Sequence, residues 1–156
     1  MQTFARMKDS FIVSTDPALL DKETIFSYLH NEAYWSLGLP RDVFEKSLEH
    51  SLCFGIYQHN TQLGFARVIS DFATFAYLCD VFILTPYRGQ GLGKWLMESI
   101  MDHPDLQGLR RFYLVTRDAH GLYKHYGFSS LDDCGRHMEK VVPAKVLYEQ
   151  GQNQEQ

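Results

Sequence analysis

The stretch that most constrains this chain runs from Asp80 to Met97: Asp-Val-Phe-Ile-Leu-Thr-Pro-Tyr-Arg-Gly-Gln-Gly-Leu-Gly-Lys-Trp-Leu-Met. An apolar run of strand character passes through a glycine-rich turn into a segment whose Trp95, Leu96 and Ile100 recur at helical spacing. A strand, a tight turn and a helix in that order fit a layered α/β arrangement. Glycines at 89, 91 and 93 let the backbone approach a ligand closely, so N–H groups at the helix start can converge on an anion. Arg88 and Lys94 place positive charge at the two ends of the turn.

Two well-known phosphate loops fail on spacing. The dinucleotide fingerprint requires a glycine where Lys94 stands. The nucleoside-triphosphate loop requires a glycine and a Ser or Thr where this chain has Arg88 and Trp95. What remains is Arg-x-x-Gly-x-Gly over residues 88–93, with Gly89, Gln90 and Leu92 at the variable positions.

A second segment, Arg111 to Phe128, again reads as strand, short connection and helix, and it closes on Leu-Tyr-x-x-x-Gly-Phe. Together, and in this order, the two segments resemble the GNAT superfamily of acyl-CoA N-acyltransferases, small bacterial-type members in particular. The resemblance in element order spans roughly residues 10–142, and its specific part is 80–128. It implies a mixed α/β (α+β) fold, with a mostly antiparallel central sheet of six to seven strands flanked by about four helices. It also implies acetyl-CoA as acyl donor, held by Arg88, Gly89, Gln90, Gly91, Leu92, Gly93 and Lys94, and a primary amine of a small molecule or peptide as acceptor. Tyr123, four residues before the Gly-Phe pair, occupies the family's general-acid position. Many members carry Asn where this chain has Thr116, whose hydroxyl can replace one of the amide's hydrogen bonds to the pantetheine region but not both.

Direct attack of an amine on a thioester makes three demands. An alkyl ammonium titrates near ~10, so a base or water relay must take its proton. Asp80, on the strand feeding the loop, is best placed for this, the alternative being a merely solvated or paired carboxylate. Charge gathering on the thioester oxygen calls for main-chain N–H groups, here those of Val81, Phe82 and Ile83. The leaving thiolate calls for a proton donor, the role implied for Tyr123. Tyr126 is the competing phenol on the same helix surface. On the acceptor side, Tyr28, Tyr34 and Trp35 form an aromatic group that can enclose an apolar or cationic substrate, or equally close the core. Two other readings stay open: an acyl group carried on a cysteine such as Cys79, and a non-catalytic acyl-CoA sensor or interaction module.

Composition narrows the class. A net charge of −4 gives no basic footprint for nucleic acid. No apolar run has the length of a signal peptide core or membrane span, so the expectation is a cytoplasmic protein, monomer or homodimer, without a membrane partner. Cys53, Cys79 and Cys134 have neither metal-ligand spacing nor an even count; free thiols and no metal are expected.

Strands are expected at Phe11–Ser14, Leu52–Tyr57, Leu63–Ser70, Tyr77–Leu84, Phe112–Val115 and Met138–Val142. Helices are expected from Asp21 or Lys22, from Pro40, behind the glycine loop and around Tyr123. Residues 1–145 read as one domain, and 146–156 as a polar, disordered tail.

Overall fold

The computed structural model describes residues 1–152. Its elements are β1 (Ala5–Lys8), β2 (Phe11–Ser14), α1 (Lys22–Asn31), α2 (Arg41–Glu49), β3 (Leu52–Gln58), β4 (Thr61–Ser70), β5 (Phe75–Ile83), α3 (Leu92–Met101), β6 (Arg111–Leu114), α4 (His120–Lys124) and α5 (Ala144–Gln152). The strands lie side by side in sequence order in one six-stranded sheet. Every neighbouring pair is antiparallel except β5–β6, which the α3 crossover makes parallel.

Local chemistry accounts for most element ends. The β3–β4 hairpin turns on His59 and Asn60, both at positive φ (49° and 66°), matching the twist of a two-residue connection. The Asp21 carboxylate accepts the Thr24 N–H (3.1 Å) and so caps α1. Pro40 sits at the entry to α2.

Two cores form on opposite faces of the sheet. On one, Leu92, Trp95, Leu96, Met97 and Ile100 of α3 pack on Val13, Phe54, Ile56, Ala66, Val68 and Leu78. On the other, Ile25 and Leu29 of α1 and Phe44 and Leu48 of α2 pack on Cys53, Phe65 and Phe82. Each large apolar side chain so buried stabilises the fold by about 1.5–3 kcal/mol.

Two expectations are corrected, and one strand is added. β1 was not expected: Ala5 and Met7 alternate with Arg6 and Lys8, but this solvated edge strand buries neither apolar residue, and its pairing with β2 is a tertiary effect. Met138–Val142 is not a strand: Met138, Val141 and Val142 are exposed, with nothing to pair or pack against. Residues 146–152, expected in a disordered tail, belong to α5, which begins after Pro143 and takes its first-turn bond from Leu147 N–H to the Pro143 carbonyl (3.0 Å). Residues 153–156 of that tail lie outside the described residues. Among the described residues the mixed, mostly antiparallel six-stranded sheet is flanked by five α-helices, in keeping with the expected fold, and no helix is long and apolar enough to cross a membrane.

Candidate active site

The sheet opens where the glycine-rich turn begins. β5 and β6 pair over four residues only, from Phe75 with Arg111 to Leu78 with Leu114. β6 ends there while β5 continues to Ile83, which leaves one edge of residues 79–83 without a strand partner. On the opposite edge the Leu84 N–H donates to the Leu63 carbonyl (2.8 Å). Strand alternation turns the main chain of Phe82 toward β4 as well, and that of Val81 and Ile83 toward the open edge. The Ile83 carbonyl, which accepts from Arg88 Nε at 2.8 Å, has that orientation. Of the three residues expected to offer N–H groups, Val81 and Ile83 are positioned to do so. Phe82 is not; its ring is buried instead.

At the top of this slot α3 starts without a side-chain cap, because its N-cap is Gly91 at φ 80°. Gly89 has φ 81°, and a Cβ on either glycine would meet no atom within 4 Å. Conformation rather than crowding therefore demands glycine at both, and the space above them is open to a ligand. The first N–H groups of a helix have no intrahelical partner and attract an anion. Gln90 and Lys94 are exposed beside them, whereas the Leu92 side chain is core and Gly93 would accept a methyl group at an ordinary 3.9 Å from Ile83. Arg88, expected at the phosphates, is tied back: besides the Ile83 carbonyl, its Nη2 donates to the Tyr28 hydroxyl (3.0 Å). Tyr28 is buried and stacked on Phe82 (ring centroids 3.9 Å apart), so it supports the turn from below and does not line an acceptor cleft.

Below the slot, Asp80 occupies an irregularity in the β4–β5 register and has φ 53°, the left-handed region. A non-glycine residue held there costs on the order of 1–3 kcal/mol and is tolerated where the surroundings fix it. They do: one carboxylate oxygen accepts from Trp35 Nε1 (2.8 Å) and the other from Arg67 Nε (2.8 Å), while Arg67 Nη1 donates to Ser51 Oγ (3.0 Å). Trp35 meets Tyr34 edge-on (5.1 Å), and the Arg117 guanidinium lies over the Tyr34 ring (3.9 Å). The loop between α1 and α2 therefore reaches across to the connection leading into α4.

Tyr123 stands on α4, 9% exposed, with its ring edge-on to Phe128 (6.0 Å). Burial, and secondarily Tyr34, push its phenol above the ordinary value of 10.0, which keeps the proton on at neutral pH. Its hydroxyl has no hydrogen-bond partner among the described residues. The competing phenol is committed elsewhere: Tyr126 donates to the Lys94 carbonyl (3.0 Å), tying α4 to the first turn of α3. The Thr116 hydroxyl accepts the Ala119 N–H (3.0 Å) and shapes the entry to α4. Burial pushes the Cys79 and Cys53 thiols up to about 12, so neither is a nucleophile near neutrality.

The fold that carries this slot is shared with known proteins. The sequence profile of the Acetyltransferase (GNAT) family matches residues 19–128. The chain belongs to the GNAT acetyltransferase family. It is 35% identical over 138 residues to a Gibberella zeae protein named as an acetyltransferase, covering 74% of this chain and 77% of that one. A GNAT-family protein of Xanthomonas campestris pv. campestris superposes with a TM-score of 0.85 at 50% identity, covering 88% of this chain and 96% of the other. The fold is also shared by a GNAT acetyltransferase of Elizabethkingia anophelis with acetyl-CoA bound, at TM-score 0.60 and 13% identity, covering 86% and 90% of the two chains.

Three residues of this GNAT site escape sequence reading. Arg67 is a lone charge in the apolar run Gly-Phe-Ala-Arg-Val-Ile; with Asp80 in the next strand it offered a complementary pair, but only the register brings them together. Arg117 joins Tyr34 through tertiary contact alone. Tyr148 of α5 packs into the second core, where burial and then the Asp80 carboxylate push its phenol up. Nothing in the local sequence marks it.

Proposed function

We propose that the protein transfers an acetyl group from acetyl-CoA to a primary amine, by direct attack in a ternary complex. The observation that carries this reading is the open edge of β5 leading from the uncapped start of α3 down to Asp80, with the Tyr123 phenol alongside. In the proposal the diphosphate rests on the N–H groups following Gly89 and Gly91, with Gln90 and Lys94 at its rim. The pantetheine arm pairs with the exposed main chain of Val81 and Ile83, and Thr116 lies near its end.

The amine nitrogen forms a bond to the thioester carbon, and the carbon–sulfur bond breaks. Negative charge on the carbonyl oxygen is met by main-chain N–H groups of the open strand edge. The departing sulfur takes the proton of Tyr123, which burial keeps protonated. Both oxygens of Asp80 already accept hydrogen bonds, so the proton lost by the amine passes to Asp80 through water, to one of its remaining lone pairs. Cysteine acylation is disfavoured by the raised thiols.

The test is calorimetry with acetyl-CoA on the native protein and on Gly91→Glu, which places a bulky anion at a φ of 80° in the cradle. Micromolar binding that disappears in the variant supports the reading; no binding by the native protein overturns it.

A further inference from the structure

We infer that the acceptor is a free α-amino acid with an aromatic or apolar side chain, its carboxylate held by Arg67 and its amine presented beside Asp80. This rests on the acetyl-transfer reading above and adds the substrate class.

The β-register fixes which side chains share a face. Arg67 lies opposite Cys79, Ile69 opposite Tyr77, and Tyr77 beside Tyr113. Paired residues project to the same side of a sheet, and so do residues two apart along a strand. Arg67, Cys79, Tyr77 and Tyr113 thus form one surface, with the Tyr77 and Tyr113 rings 5.7 Å apart. At its upper end the face is covered by α1 and α2. At its lower end it is open, with Ile69 and Phe75 about two-fifths exposed. Trp35 closes the upper side through its bond to Asp80.

The Arg67–Asp80 pair itself asks for an explanation. Its side chains are 16% and 12% exposed. A pair so placed is weak evidence of stabilisation, since apolar replacements usually serve stability as well or better. Here it is also joined to a strained backbone at Asp80. Arg67 uses Nε on Asp80 and Nη1 on Ser51. Its Nη2 has no hydrogen-bond partner among the described residues and is not sealed from solvent. A guanidinium fixed on two sides, with a third donor unpaired among the described residues and not fully buried, is pre-organised for an anionic group. The adjoining carboxylate selects a cationic one. A ligand carrying an ammonium and a carboxylate on neighbouring atoms meets both, and the tyrosine floor receives its side chain.

The experiment measures thiol release from acetyl-CoA by the native protein with L-phenylalanine, L-phenylalaninamide and phenethylamine. The expected kcat/KM for phenylalanine exceeds that for the other two by about tenfold or more, the scale of one charge-assisted hydrogen bond. Equal or better use of the amide, which mimics a peptide N-terminus, or of the plain amine overturns the inference while leaving acetyl transfer standing. Failure of all three in a protein that still binds acetyl-CoA overturns it too; failure to bind acetyl-CoA removes the enzyme reading with it. In Arg67→Lys, which keeps the charge but loses the fork, KM for phenylalanine rises about tenfold while KM for acetyl-CoA stays within about twofold. Equal changes in both constants overturn the inference. Should the variant fail to fold, the panel on the native protein decides.

Discussion

Tyr123 and Cys79 lie near the same slot and differ in what their surroundings make of them. Burial raises both, which leaves the phenol a competent proton donor at neutral pH and the thiol an inert one. Tyr123→Phe should reduce kcat by about 10²–10⁴, the usual scale of general acid catalysis, with the Kd for acetyl-CoA nearly unchanged. Stopped assays and calorimetry on one preparation separate the two effects; an unaltered kcat removes Tyr123 from the chemistry. Cys79→Ala should retain turnover, and mass spectrometry of the native protein with acetyl-CoA should show no covalent adduct. The position of Tyr123 was legible because its spacing to Gly127 and Phe128 is local. The partners of Asp80 were not: Arg67 is thirteen residues away and Trp35 forty-five, and only the folded register unites them.

Among the elements, α3 does most to position the candidate site, since its apolar side is sealed into the sheet while its uncapped first turn opens onto free space. Met97 and Ile100 are fully buried, so Met97→Ala or Ile100→Ala should cost about 2–5 kcal/mol, read from urea midpoints at constant slope. β5, the glycine turn and α3 were all legible, because strand period, positive-φ glycines and helical spacing are written in consecutive residues. β1 and α5 were not, since each offers only a short apolar pattern of its own, and that of β1 is left exposed. Met138–Val142 is the converse case. Its β-favouring composition found no partner strand, and composition without burial leaves the backbone unpaired.

For the molecule as a whole, alkaline pH offers a test of how the interior is sealed. Cys53 and Cys79 titrate at about 12 in the folded protein against an ordinary value of 9.0, and burial raises the Tyr57 phenol as well. A raised folded value means that the unfolded chain loses its protons first. The associated stability is therefore fully present below about pH 9 and lost as pH rises toward 12. Urea midpoints should be flat from pH 7 to 8 and decline above 9; Cys53→Ala should shallow that decline if the thiol is its source. Tyr126, just past the end of α4, donates to the Lys94 carbonyl and so joins the segment after α4 to the first turn of α3. In the proposed reaction, the donor's seat and the phenol that would protonate the leaving sulfur are therefore linked through one exposed hydrogen bond.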